Sequence, residues 1–82
     1  MRLNELATAR AARIVAFEAP NNDVEKGLIR TMMEMGLTPG ANIIIEHTGP
    51  VGRDPLAVSC RGALIGIGKR EAELILVEEV QA

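Results

Sequence analysis

The apolar positions of the chain follow two periods, and the changes from one to the other outline a fold. Residues 12–17 carry the β-favouring Ile14, Val15 and Phe17 and predict a first strand. Its alternation is imperfect, which predicts a bulge or two-sided burial near Val15 and Ala16. Ahead of it, Leu3 and Leu6 are spaced like one turn that packs against something. Val24, Leu28, Met32 and Met35 then recur at spacings of four, four and three, a helical stripe that Ile29 and Met33 widen. Asn22 stands as cap with Glu25 as its reciprocal acceptor, and Asp23 and Glu25 put negative charge on the first turn. Gly36 sits where a left-handed residue ends a helix, with Leu37 placed to contact Met32 in a Schellman arrangement. The helix is expected over about residues 23–35.

Thr38-Pro39-Gly40 has the chemistry of a type II turn, with Pro39 second and Gly40 third. Three isoleucines follow. Ile43 and Ile45 share a strand face with His47, while Ile44 shares the other with Glu46. Residues 49–55 read as a loop holding the pair Arg53-Asp54. Leu56, Val58 and Cys60 alternate with Ala57, Ser59 and Arg61, a half-buried strand. Arg61-Gly62 is a tight turn, and residues 63–67 return as a strand. Gly68 breaks it, residues 69–73 suit one helical turn, and residues 74–77 form a last strand before the acidic Glu78-Glu79 and a frayed tail. Five short strands and one inserted helix suit a mainly β architecture, a small, partly open barrel whose helix covers an open end or edge.

Composition narrows the function. The 82 residues are expected to make a single domain spanning 1–82. A chain of this size buries only roughly 60–65% of its unfolded surface, so the core is modest. Phe17 is the only aromatic residue. The core is therefore aliphatic, and neither a groove for proline-rich peptides nor a platform for stacked bases is available in the usual way. A net charge of −2 with no basic block argues against nucleic acid as a partner. Cys60 is the only cysteine, so no disulfide forms within the chain. No apolar run approaches the roughly 20 residues of a membrane helix. A cytoplasmic setting is the expectation.

The turn motifs carry a resemblance. Met35-Gly36-Leu37-Thr38-Pro39-Gly40 resembles the signature of the ferrous iron transport protein A (FeoA) family, and recurs in the barrel domain of iron- and manganese-dependent repressors. Gly49-Pro50-Val51-Gly52-Arg53-Asp54-Pro55-Leu56 resembles the family's loop. Ile65-Gly66-Ile67, Arg70-Glu71-Ala72, and Leu74, Ile75 and Val77 resemble its final segment. The similarity runs from about residue 3 to residue 78. It departs in two places: Thr8-Ala9-Arg10-Ala11 lacks the glycine usual before the first strand, and Gly68 stands where the family carries an arginine. The resemblance implies an SH3-like barrel, no reaction, and an accessory role beside a ferrous iron permease with a cytoplasmic GTP-binding domain. The alternative is a metal-responsive module related to the repressor barrel, without a helix-turn-helix of its own.

Candidate chemistry is sparse. His47 and Cys60 are the only soft or borderline ligands, on strands expected to form one hairpin. Together they fill half of a zinc shell, with Glu46 or a symmetry mate to complete it. Strand position accounts for both without a metal, and no cofactor is expected otherwise. Met32, Met33 and Met35 read as core and cap residues, at most one of them facing outward. No nucleophile has both a base and an orienting acid, and Gly49-Pro50-Val51-Gly52 lacks the spacing of a phosphate-binding loop. The chain is expected not to be an enzyme. Surface candidates for a protein partner are Glu25, Lys26 and Arg30 on the helix, Arg53 and Asp54 on the loop, and Lys69 and Arg70 at the barrel end. Oligomeric state stays open, a homo-oligomer included.

Overall fold

The computed structural model describes residues 1–80. A 3-10 turn (Leu3–Glu5) leads into β1 (Ala11–Phe17), α1 (Asp23–Glu34), β2 (Asn42–Val51), β3 (Asp54–Cys60), β4 (Ala63–Ile67), α2 (Lys69–Glu73) and β5 (Ile75–Glu79). The five strands form one antiparallel sheet in the order β4-β3-β2-β1-β5, so the last strand returns to lie beside the first. β1 pairs with β2 through Ala11–Arg13 and with β5 along most of its length, with a register shift between Ile14 and Ala16. That is the predicted bulge, and it lets one strand serve both halves of a curled sheet.

The helix boundaries follow from local chemistry. Asn22 Oδ1 accepts from the Glu25 N–H at 2.9 Å. The return bond runs from the Asn21 N–H, one residue earlier than a standard capping box, to Glu25 Oε1 at 2.9 Å. At the other end Gly36 has φ +100°, its N–H reaches the Met33 carbonyl, and the Leu37 N–H reaches the Met32 carbonyl, both at 3.0 Å. These are the two bonds of a Schellman motif. Gly40 follows with φ +92°, and the Ala41 N–H closes the Thr38-Pro39-Gly40 turn on the Thr38 carbonyl.

The core is aliphatic, as composition required. Leu3, Leu6, Ile14, Met32, Leu37, Ile43, Ile45, Val58, Ile67 and Ile75 are its largest enclosed side chains, and Phe17 is only partly buried. Among the described residues no polar or charged residue is buried. The helix buries less than its stripe suggested. Met32 is enclosed and Leu28 and Ile29 pack beside it, but Val24, Met33 and Met35 are exposed. Two of the three helix methionines therefore face solvent, not the one at most that periodicity implied. The helix lies on the barrel by one narrow seam around Met32, too narrow to cover a wide stripe.

Three further expectations are corrected. Residues 49–55 are not an open loop. β2 and β3 continue as a long hairpin closed by Gly52-Arg53, both at positive φ, with Val51 opposite Asp54. This is a two-residue turn of the mirror-image type that matches strand twist. Arg61-Gly62 closes β3 and β4 the same way. Second, a register shift between Ile45 and His47 breaks the alternation of β2, so His47 is exposed although Ile43 and Ile45 are buried. Third, Glu78 and Glu79 are strand residues, pairing opposite Arg13 and Ala12. The tail beyond residue 80 lies outside the described residues.

Candidate partner-binding surface

The charged candidates fall into separate places. Arg53 is committed to structure. Its guanidinium donates to the Asn4 carbonyl at 3.2 Å and the Leu6 carbonyl at 2.5 Å, fastening the β2–β3 hairpin tip over the 3-10 turn. No ion pair joins it to Asp54, which is exposed at the first position of β3. Arg53 thus offers a partner much less than an isolated loop arginine would. Lys26 lies 3.8 Å from Asp23 one turn earlier, with both side chains largely in water, a geometry that contributes little.

Glu25 and Arg70, 45 positions apart in the sequence, come together. Both line an open basin of about 370 Å³ with Glu18, Asn21, Glu73 and Arg2, where Arg2 lies 3.7 Å from Glu18. The basin carries both signs of charge, so it favours a partner with complementary polar groups over a simple anion or cation. Gly36, Pro39 and Gly40 are turn residues and do not line it.

His47 and Cys60 are not brought together. His47 lies opposite Ala57 and Cys60 opposite Ile43, which separates them by three residues along β3, roughly 10 Å. Cys60 is buried with its Sγ directed at the Gly36 carbonyl, 3.8 Å away, while His47 faces solvent. Among the described residues no group of three or more His, Cys, Asp or Glu side chains is arranged to hold a metal ion.

Both departures from the family pattern have a structural counterpart. Ala9, in the stretch without a glycine, adopts φ +69°, the left-handed region that a glycine takes without strain. Gly68 precedes α2, and a side chain there would run into the Glu71 carboxylate.

A surface that the sequence did not single out lies along β4. Leu64 is 63% exposed on the outer face. Leu28, Thr31 and Met32 of α1 and its cap Met35 face Gly66 and Ile67 of β4 across a cavity of about 100 Å³ that Glu71 of α2 also lines. Arg61, in the turn just before β4, has no carboxylate partner among the described residues. The Arg61-Gly62 turn predicted a returning strand at β4, but its edge position depends on the pairing order.

This antiparallel sheet curled around an aliphatic core, with α1 against its rim, defines a small SH3-like barrel domain. The FeoA domain model matches residues 1–79, and the chain belongs to that family. The solution structure of the FeoA protein from Chlorobium tepidum is 31% identical, with 99% of this chain and 71% of that one covered and a TM-score of 0.84. A Stenotrophomonas maltophilia FeoA, solved with zinc and described as a procaryotic SH3 domain protein and candidate ferrous iron transport activating factor, is 25% identical over 95% of this chain and 89% of that one (TM-score 0.73). A manganese-dependent transcriptional repressor superposes with a TM-score of 0.81 over 98% of this chain and 41% of its own at 12% identity, a likeness of fold alone. No curated protein matches the chain. No helix among the described residues is long and apolar enough to cross a membrane.

Proposed function

We propose that this chain is a non-catalytic accessory of ferrous iron uptake that works in the cytoplasm by docking on the GTP-binding part of an iron permease. The family match over residues 1–79 carries the reading. The zinc-bound relative's description as a candidate ferrous iron transport activating factor supports it. The docking surface is the basin where Glu25 meets Arg70, together with the exposed Lys69 beside it and Arg30 on α1. Arg53 contributes through the hairpin it holds in place. The metal-responsive repressor reading has only the shared fold behind it.

An amide-shift titration of the chain with the permease's soluble GTP-binding region, in GDP and in a GTP analogue, tests the proposal. Shifts concentrated at Glu25, Lys69, Arg70 and the residues lining the basin are expected. An unchanged spectrum in both nucleotide states at high partner concentration would overturn it.

A further inference from the structure

The two ends of the sheet are treated differently. The outer edge of β5 is covered by the N-terminal segment: the Met1 amino group donates to the Val77 carbonyl at 3.0 Å, the Val77 N–H donates to the Met1 carbonyl at 2.7 Å, and Arg2 bridges to Leu76. Among the described residues β4 has no such cover. Its pairing is with β3 alone, and no turn or loop supplies a backbone bond to Leu64 or Gly66. The two-residue turn fixes which groups are free. Cys60 and Ala63 flank it as a hydrogen-bonded pair, so Ala63, Ile65 and Ile67 turn their backbone groups toward β3. Leu64 and Gly66 therefore present an N–H and a carbonyl each to the outside.

An uncovered edge is a template for another strand, and soluble proteins usually blunt such an edge. Here the edge is apolar, with Leu64 exposed and a glycine at 66 that leaves room for a close approach of backbone. Beside it α1 supplies a second wall, and the cavity of about 100 Å³ bounded by Leu28, Met35 and Ile67 has room for one aliphatic side chain.

Charge selects the occupant. Arg2, Arg10, Arg13 and Lys26 each lie within 4 Å of a carboxylate, and Arg53 holds backbone carbonyls. Four basic residues remain without an ion pair among the described residues. Three of them bracket β4: Arg61 at its start, Lys69 and Arg70 just past its end. The fourth, Arg30, lies on the face of α1 opposite Leu28 and Met35, by helical angle. A second copy of the chain fits poorly. Antiparallel self-pairing with Leu64 opposite Gly66 brings Arg61 of each copy to the strand end where Lys69 of the other stands, and like charges brought together oppose association.

We infer that the β4 edge is a strand-addition site that takes an extended segment of another polypeptide, apolar at its centre and acidic at both ends. Main-chain bonds to Leu64 and Gly66 supply affinity, and the basic residues at either end select the acidic segment. The inference deepens the accessory-protein reading and rests on it in taking the occupant to be a protein.

The test uses the whole isotope-labelled chain and two capped peptides. Both have an alternating Val-Thr centre, one with Glu-Asp at each end and the other with Lys-Lys. The acidic peptide should shift the amides of Leu64, Gly66 and Met35 and slow hydrogen exchange at Leu64 and Gly66, with saturation below about 1 mM. The lysine peptide should bind at least roughly tenfold more weakly. The double variant R61E/K69E should reverse that preference without loss of fold, since both positions are exposed. Absence of shifts at β4 with the acidic peptide overturns the proposal, as does equal binding of the two peptides. Concentration-dependent dimerisation through Leu64 and Gly66, seen by sedimentation without peptide, assigns the edge to a second copy and overturns it too. The permease titration stands apart: shifts there at the Glu25–Arg70 basin alone leave the accessory reading intact while this one falls.

Discussion

Removing the Arg53 guanidinium isolates a single long-range fastening in this small barrel. The side chain is partly buried and donates to the carbonyls of Asn4 and Leu6, 49 and 47 positions away. Hydrogen bonds from a charged donor contribute roughly 1.5–3 kcal/mol each. Water replaces part of that at a partly exposed site, and ordering an arginine costs about 2 kcal/mol. The net expectation for Arg53→Ala is a loss of about 2 kcal/mol. For a domain of this size each kcal/mol moves the midpoint by roughly 4–8 °C, so thermal unfolding by circular dichroism should shift down by about 8–16 °C. Arg53 also sits at φ +59°, a strain that alanine retains and glycine removes. Arg53→Gly should accordingly be more stable than Arg53→Ala by about 1 kcal/mol, yet still below the parent. Amide exchange should accelerate at residues 3–6 before it does in β2 or β3, because the fastening is local to that turn. If Arg53→Ala melts within two degrees of the parent, or Arg53→Gly exceeds it, the guanidinium contributes nothing and the reasoning is wrong.

Three backbone predictions follow, two from left-handed dihedrals and one from a close backbone approach. Ala9→Gly should raise stability by about 0.5–1 kcal/mol in denaturant unfolding, because Ala9 is exposed and held at φ +69°, and an unchanged midpoint would refute the strain. Gly36→Ala should lower stability by about 1 kcal/mol, entirely through the left-handed conformation, since nothing lies within 4 Å of the added carbon; a melting temperature equal to the parent's would remove that assignment. Gly49→Ala should cost more than about 2 kcal/mol, because the added carbon would overlap the Asp54 carbonyl and lie 2.8 Å from the Pro55 nitrogen, backbone atoms that cannot turn aside. Cleanly folded Gly49→Ala protein with an unaltered midpoint would show that the hairpin yields there.

The sequence was informative where neighbouring residues decide the conformation. Asn22 with Glu25, Gly36 before Leu37, and Pro39-Gly40 each act within a few positions, and each stands where its chemistry put it. Alternation over Leu56, Val58 and Cys60 survived because the residue inserted after Ile45 belongs to β2, while β3 runs unbroken from Leu56 to Cys60. The reading lost its footing where one inserted residue changes the phase. Ile43 and Ile45 promised His47 to the core, but the register shift after Ile45 reversed it, and nothing in Ile-Glu-His announces a bulge. Strand order was hidden for a different reason. The pairing of β5 with β1 joins segments about 60 residues apart, and that pairing leaves β4 as the uncovered edge. Candidate site residues inherit the same limit. Glu25 and Arg70 stood in the sequence as separate candidates because only the closed barrel brings them to one basin, and Arg53 looked available because its acceptors lie almost 50 residues upstream. A charged residue's function in a domain this small thus depends less on its neighbours in sequence than on which carbonyls and carboxylates the sheet order brings within its reach.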